Sequence, residues 1–421
     1  MDPVLSAEWI IVYLALIATG SVVVLHEPTL NISEYIDDIY LTTTAEDLAA
    51  YMPSDLSTWQ SSDENATATI IFTSGTAGRH KGVMLSQKNL VSSAIVGAVK
   101  IGKDVLFPED KTIPLLPMFH MFGITASILS PIYFGLTLHI INDMKYIIQS
   151  LSKIRPQILF IVPMIAKTMI DRALVLVQKG LAVEQIKEEM FGGLKMLVCG
   201  GATLQTEIID EYEKFGIQLL NGYGITECSP TVTTSSYDDF VKNSVGRVND
   251  LPNVDVKIFN GTVHVSGDIV MQGYYNCDES PFKMIDGKTW FDTEDNGSID
   301  ENGNLYIYGR QSNLIILSDG NNIAPEEIES LFNTHILVHD IMVYEGNLAG
   351  KQVIAASILP NYELATAFSE QQLNDEIAKI VDKINNELPT YKRIKTYKIR
   401  KTDFNRTSLR KIIRTGVNIN E

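Results

Sequence analysis

Strand-like apolar runs and helix-like runs alternate along this chain. Thr69 to Phe72, Leu136 to Ile141, Ile158 to Val162 and Leu194 to Cys199 are the apolar runs, and Gln87 to Val99, Ile165 to Gln178 and Gln205 to Lys214 are their helical partners. Apolar runs without alternation fit strands buried on both faces, so the pattern predicts an α/β fold with parallel layers. From about Val241 the texture changes. Asn260-Gly261, Asp286-Gly287, Asn296-Gly297 and Asn302-Gly303 read as tight turns between short runs such as Thr262 to Val265 and Leu305 to Tyr308. They predict a small β-rich subdomain over about 241–309. Helix signals at Pro325 to Phe332 and Glu370 to Glu387, with strands between them, predict a smaller α+β C-terminal domain over 310–421, after a large N-terminal domain over 1–309. A chain of 421 residues is long enough for two or three domains.

A formal charge of −17 argues against a general nucleic-acid binder. Lys392 to Arg414 runs the other way, with ten Lys or Arg and one acid, Asp403. It reads either as a solvated tail or as a surface for a polyanionic ligand. Three widely spaced cysteines, Cys199, Cys228 and Cys277, suggest reduced thiols in a cytoplasmic protein without a zinc site. The apolar run Trp9 to Leu25 is the one membrane candidate. Thr19-Gly20-Ser21 interrupts it, which predicts a buried helix, a turn and a buried strand Val22 to Leu25, and no integral membrane span.

Four stretches carry chemistry. IIFTSGTAGRHKGVML holds Thr73, Ser74, Gly75, Thr76, Gly78 and Lys81 between a strand and a helix. Glycines let backbone N–H groups approach an anion, hydroxyls donate to it and lysine adds positive charge, so a phosphate chain fits; a plain structural turn also accounts for the composition. It is not a Walker A loop, because His80 rather than glycine precedes Lys81. NGYGITECSP sets Tyr223 between Gly222 and Gly224, where a base could stack, and adds Thr226 and Glu227, an acid able to hold Mg²⁺. WFDTEDNGSID and GRQSNLIILSDGNNIAPEEIE follow; in the last, Glu326, Glu327 and Glu329 open a helix after Pro325.

In order and spacing these stretches resemble the core motifs of the acyl-adenylate-forming superfamily of acyl-CoA synthetases, peptide-synthetase adenylation domains and luciferases. LPMFHMFG (Leu116 to Gly123), GGA (Gly200, Gly201, Ala202) and VMQGYYN (Val270 to Asn276) add to the likeness, which is nearest the fatty acyl branch. The resemblance implies that Thr73, Ser74, Gly75, Thr76, Gly78 and Lys81 contact the phosphates of ATP. Gly200, Gly201, Ala202, Tyr223 and Gly224 would form the adenine site, and Asp295 and Arg310 would hold the ribose. Glu227 would bind Mg²⁺ beside Thr226, while Phe119, His120 and Gly222 would sit near the acyl entrance. Lys411, in RTSLRKIIR, would be the lysine that reaches the reacting phosphate from a mobile C-terminal domain hinged near Arg310. The implied reaction joins a small-molecule carboxylate, expected to be a fatty acid, to CoA through an acyl-adenylate. An acyl carrier protein as acceptor, and a noncatalytic nucleotide-binding module, are the alternatives.

The chain departs from the family pattern at Ala77, His80, Glu294, Ser312 and Arg410. Glu294 stands where a glycine is expected in a tight turn, and there it would repel phosphate or narrow the ribose pocket. The segment Glu8 to Pro28 resembles one that relatives carry after a longer lead, so the first subdomain is expected to be short, with exposed sheet edges that favour a homodimer.

Overall fold

Ser6 opens the first helix, Ala7–Ala18, by accepting the Trp9 N–H at 3.1 Å. This computed structural model describes residues 5–36, 63–74, 80–101, 105–141, 146–202, 204, 206–251, 253–277, 280–317, 322–332, 335, 337–362, 364–407 and 412–414. After a turn at Thr19 and Gly20 the chain enters the strand Val23–Leu25, as the interrupted apolar run predicts. Trp9 and Tyr13 stack at 5.3 Å and are fully buried, each contributing roughly 4–6 kcal/mol of apolar burial before entropy is set against it. The Tyr13 hydroxyl meets Thr69 Oγ1 at 2.9 Å, tying the helix to the first sheet, and burial pushes its pKa up to about 12. Among the described residues no helix is long and apolar enough to cross a membrane.

The first sheet runs Val23–Leu25, Thr67–Ser74, His80–Ser86, Gly273–Tyr274. Its middle strands form an antiparallel pair in which Thr73 opposes Lys81 and Ser74 opposes His80. The second sheet has six strands in the order Thr137–Leu138, Lys111–Thr112, Ile158–Ile161, Met196–Cys199, Gln218–Gly224, Thr231–Thr234. The first five are parallel and the last is antiparallel. The apolar run Leu136 to Ile141 yields only the two residues Thr137–Leu138, an edge strand with one neighbour. Helices Gln87–Ile101, Pro163–Gln178 and Thr206–Glu213 lie close to their expected positions.

A β-rich sheet follows, built from Val254–Phe259, Thr262–Gly267, Lys288–Ile299 and Phe282–Ile285, with Leu305–Arg310 also paired to Lys288–Ile299. Asn260-Gly261 and Asp286-Gly287 are tight turns, with both residues of each at positive φ. Asn296-Gly297 is not a turn. It lies inside Lys288–Ile299 at a register shift, and a Cβ on Gly297 would stand 2.6 Å from the Tyr306 carbonyl, so the glycine serves close strand approach.

The smaller C-terminal domain is the sheet Val338–Leu348, Lys351–Pro360, Thr396–Ile399, covered by helices Pro325–Phe332 and Glu370–Glu387. Ser369 and Gln372 close a reciprocal capping box on the longer helix, whose Leu373, Ile377, Ile380, Val381 and Ile384 face the core. The basic tail is therefore not one amphipathic segment. Part of it is the strand Thr396–Ile399, and Lys392, Lys401, Arg406 and Arg414 are paired to Glu327, Glu370, Asp340 and Glu329, which leaves less positive charge for a polyanion.

Glu329, its side chain 14% exposed, is the acid paired with Arg414. It accepts from the Val343 N–H at 2.6 Å and from Arg414, yet burial outweighs the arginine and pushes its pKa up to about 7. A carboxyl whose folded pKa is raised stabilises the fold fully below its unfolded value and loses that contribution as pH rises through the folded one. Stability should therefore fall by up to about 3 kcal/mol between roughly pH 4.5 and 7 on account of this group. Glu329→Gln should flatten that part of the curve in pH-dependent denaturant melts; an unchanged slope would mean that the group titrates normally.

Candidate active site

Three parallel strands, Ile158–Ile161, Met196–Cys199 and Gln218–Gly224, end on one large cleft of about 1530 Å³, the place where open α/β sheets bind ligands. The first sheet, the β-rich sheet and the C-terminal domain supply its other walls, and the motifs far apart in sequence meet there.

Two short networks occupy its centre. Asp295, buried, accepts the Tyr223 hydroxyl at 2.7 Å and faces Arg310 Nε at 3.1 Å. Burial disfavours the Arg310 charge, but Asp295 first and then Glu227, Tyr223 and Glu294 outweigh it and raise its pKa. Burial, and after it Asp295, raises the Tyr223 pKa well above the phenol range, so Tyr223 is a neutral donor. In the second network the Tyr274 hydroxyl donates to Glu227 Oε1 at 3.0 Å, and Lys81 Nζ lies 4.7 Å from the centre of the Tyr274 ring. One anion, one cation and an aromatic thus face the cleft beside the Thr73–Lys81 strand pair.

Thr73, Lys81, His120, Gly200, Gly201, Ala202, Gly222, Tyr223, Gly224, Thr226, Glu227, Asp295 and Arg310 all line the cleft. Gly75, Thr76, Gly78, Ala77, Arg410 and Lys411 lie outside the described residues, and Ser74 is placed by its backbone pairing alone. Phe119 does not line the cleft. Its ring packs on His120, with centroids 4.8 Å apart, while Phe122, one helical turn on, faces the cleft against Gly200. The short helix Met121–Ile124 turns the second aromatic inward because Gly123 comes so close to Pro117 that a Cβ there would stand 2.3 Å from its carbonyl oxygen. Two aromatics in LPMFHMFG were the available signal, but which one faces inward depends on that turn. Val162, Pro163, Met164 and Asn221 also line the cleft, whereas Leu219 and Leu220 are wholly buried in the core.

Tyr274 belongs to VMQGYYN, where sequence gave it no role; its partner Glu227 is distant in the chain, so no local pattern marks the pair. Glu326 accepts from Asn313 at 2.7 Å, a bond within the C-terminal domain. A Cβ on Gly309 would stand 2.5 Å from Glu326 Oε2. His80 lines the cleft with its Nδ1 buried and without a hydrogen-bond partner among the described residues, its ring edge-on to Tyr35.

Glu294 sits in a bulge of Lys288–Ile299 rather than in a tight turn, at a φ of 58°. The Asp292 carboxylate accepts its N–H at 3.0 Å, and Thr293 Oγ1 accepts the Asp295 N–H at 3.1 Å, so the bulge aims Asp295 at Arg310. A left-handed backbone suits glycine. Glu294→Gly should raise stability by about 0.5–1 kcal/mol, the strain relieved less the added chain entropy, and should tighten ATP binding by removing an acid from the cleft. Chemical denaturation with calorimetric titration of ATP checks both; weaker ATP binding would mean that the carboxylate assists rather than opposes the nucleotide.

Comparison with known proteins agrees with this geometry. The family model for an AMP-binding enzyme matches residues 31–275, and that for the AMP-binding enzyme C-terminal domain matches residues 312–419. A 2-succinylbenzoate–CoA ligase of Bacillus pumilus is 33% identical over 285 residues, covering 65% of this chain and 54% of the relative. A long-chain-fatty-acid–CoA ligase of Mycobacterium bovis is 28% identical, covering 66% and 52%, and the peroxisomal OPC-8:0-CoA ligase 1 of Arabidopsis thaliana is 30% identical, covering 67% and 52%. The chain spans about half the length of these relatives. Among solved structures, ATP-bound MatB of Rhodopseudomonas palustris superimposes with a TM-score of 0.76 at 23% identity, covering 97% of this chain and 85% of that one. The o-succinylbenzoate CoA synthetase of Bacillus subtilis with its acyl-adenylate gives 0.75 at 20%, covering 98% and 86%. Motif order, cleft and family models agree: the chain belongs to the AMP-binding enzyme family and has its adenylating-enzyme fold, a large N-terminal domain with a smaller C-terminal one.

Proposed function

We propose that this protein is an AMP-forming acid–thiol ligase, which activates a carboxylic acid with ATP and passes the acyl group to CoA. The observation that carries the reading is the meeting, in one cleft, of the Tyr223–Asp295–Arg310 and Glu227–Tyr274–Lys81 networks. Asp295 accepts the ribose hydroxyls and Arg310 holds it in place. Tyr223 and Gly200 to Ala202 flank the adenine, and Thr73, Ser74, Gly75, Thr76, Gly78 and Lys81 hold the phosphates. Mg²⁺ needs few protein ligands when phosphate oxygens supply the rest, so a single accessible carboxylate, Glu227, fits it, with Thr226 alongside. When bound, the ion would neutralise phosphate charge.

The carboxylate oxygen attacks the α-phosphorus while the bond to pyrophosphate breaks, with Lys411 supplying positive charge where it develops. The thiol sulfur, having lost its proton, then attacks the acyl carbon and AMP departs with the bonding electrons. We assign residues 1–309 to the domain that holds the nucleotide, with a β-rich part over about 241–309. Residues 310–421 form a domain that turns about a hinge near Arg310 and Ser312 between the two steps. The acyl group enters past His120, Phe122 and Gly222. Motif likeness to the fatty acyl branch supports a fatty acid as the substrate, and dependence on ATP and CoA together with reduced cysteines supports a cytoplasmic setting. Carboxylate-dependent exchange of pyrophosphate into ATP, measured across acetate, fatty acids and aryl acids, tests the reading. Exchange with one class of acid supports it; ATP binding by folded protein without exchange for any acid supports a noncatalytic module instead.

A further inference from the structure

We infer that Tyr274 is a positioning residue that acts as a spacer: it holds Glu227 and Lys81 apart, so that the carboxylate stays open to a divalent cation and the ammonium to phosphate. The inference rests on the placement of nucleotide and metal in the ligase reading above.

The backbone brings the three residues together. The strand Gly273–Tyr274 pairs antiparallel with His80–Ser86, Gly273 opposite Met84 and Tyr274 opposite Val83. Successive side chains alternate across a sheet, so Lys81 and Val83 share a face, and Tyr274 is the diagonal neighbour of Lys81 on it. The Tyr275 N–H donates to the Gly82 carbonyl at 2.7 Å and fixes that register. Glu227 comes from the single helical turn Thr226–Cys228, which follows the strand Gln218–Gly224 of the other sheet. Its carbonyl accepts the Met271 N–H at 2.9 Å, so its main chain is tied to the segment that carries the tyrosine.

Within this frame one side chain meets two opposite charges. The Tyr274 hydroxyl donates to Glu227 Oε1 at 3.0 Å, while Lys81 Nζ stands over the ring, 4.7 Å from its centre. All three residues line the cleft. Opposite charges that share one ring attract each other, yet Lys81 makes no ion pair among the described residues. Arg310, another cation of the cleft, already faces Asp295 at 3.1 Å, which leaves Lys81 as the partner Glu227 would take. Such a pair would oppose binding at both ends, since ATP would have to draw the ammonium off the carboxylate and the metal would have to draw the carboxylate off the ammonium. Tyr274 prevents it while leaving both charges in place. The ring face attracts the cation through its quadrupole, and the hydroxyl engages one carboxylate oxygen and leaves the second for a metal.

The test is calorimetric titration of the full chain with ATP in EDTA, where Glu227 has no metal to bind. Tyr274→Leu should weaken ATP binding about three- to tenfold, the range from a solvated ion pair to a charged hydrogen bond, while Tyr274→Phe, which keeps the ring between the charges, stays close to native. In the Glu227→Gln background, where the pair cannot form, Tyr274→Leu should lose its effect; a merely structural role for the ring would persist there. Tyr274→Met takes the place of the leucine variant if that one fails to fold. Native ATP affinity in the leucine variant overturns the inference and leaves the ligase reading standing, as does an equal loss with and without Glu227→Gln. The expected binding pattern without pyrophosphate exchange for any acid removes the ligase reading and keeps the spacer. A native chain that binds no ATP overturns both.

Discussion

Asp295→Ala is expected to abolish measurable ATP binding and to cost about 2–3 kcal/mol of stability. Asp295 is buried and accepts both the half-buried Tyr223 hydroxyl and Arg310 Nε, so its removal takes the acceptor from one donor and one cation. The cost stays below that of a fully buried ion pair because the Arg310 side chain is 43% exposed and water can solvate it. Nucleotide binding suffers twice: the ribose loses its acceptor, and Arg310, no longer held, can fold over the place the nucleotide needs. Asp295→Asn separates the effects. It keeps an acceptor for Tyr223 and should recover most of the stability while ATP affinity remains at least about tenfold reduced, the worth of a charged hydrogen bond. Denaturant midpoints beside ATP titrations give both readouts. An alanine variant that binds ATP normally would remove Asp295 from the nucleotide site.

The second large effect concerns Lys411, the proposed source of charge for the reacting phosphate. Lys411→Ala should lower pyrophosphate exchange by about 10²–10³-fold, the loss seen when one donor to a developing charge is removed. ATP affinity and the unfolding midpoint should stay close to native, because the Asp295 and Lys81 sides of the cleft are untouched. Acyl transfer from a pre-formed adenylate should also survive, since the lysine is assigned to the first half-reaction only. Native exchange rates in the alanine variant would exclude Lys411 from that role; loss of ATP binding together with exchange would mean that it holds the ground-state nucleotide instead.

The parts of the site that were legible in the sequence share a physical property: each is local. The apolar run Thr69 to Phe72 lies in the strand Thr67–Ser74, and the helix signals at Gln87 to Val99 and Glu370 to Glu387 mark helices that form, whereas the strand His80–Ser86 ahead of the first of them went unread. The interruption at Thr19-Gly20 divides the apolar N-terminus into the helix and strand that form. Where inference from sequence failed, the answer lay across the fold. Asn296-Gly297 has the composition of a hairpin turn, but Leu305–Arg310 pairs through it and holds it in a strand. Phe119 and Phe122 are equivalent by residue type, and the close packing of Gly123 on Pro117 selects the second.

By itself the sequence determined the alternating α/β layers, the β-rich part that follows them and the two C-terminal helices. These follow from periodicity, backbone preferences and side-chain type, all of which act over a few residues. Only the tertiary structure decided that Tyr274 meets Glu227 and Lys81, that Asp295 holds Tyr223 and Arg310, and that carboxylates take up much of the basic tail. The physical reason is that periodicity assigns each residue to a face, whereas the packing of whole sheets and helices assigns each face its neighbour.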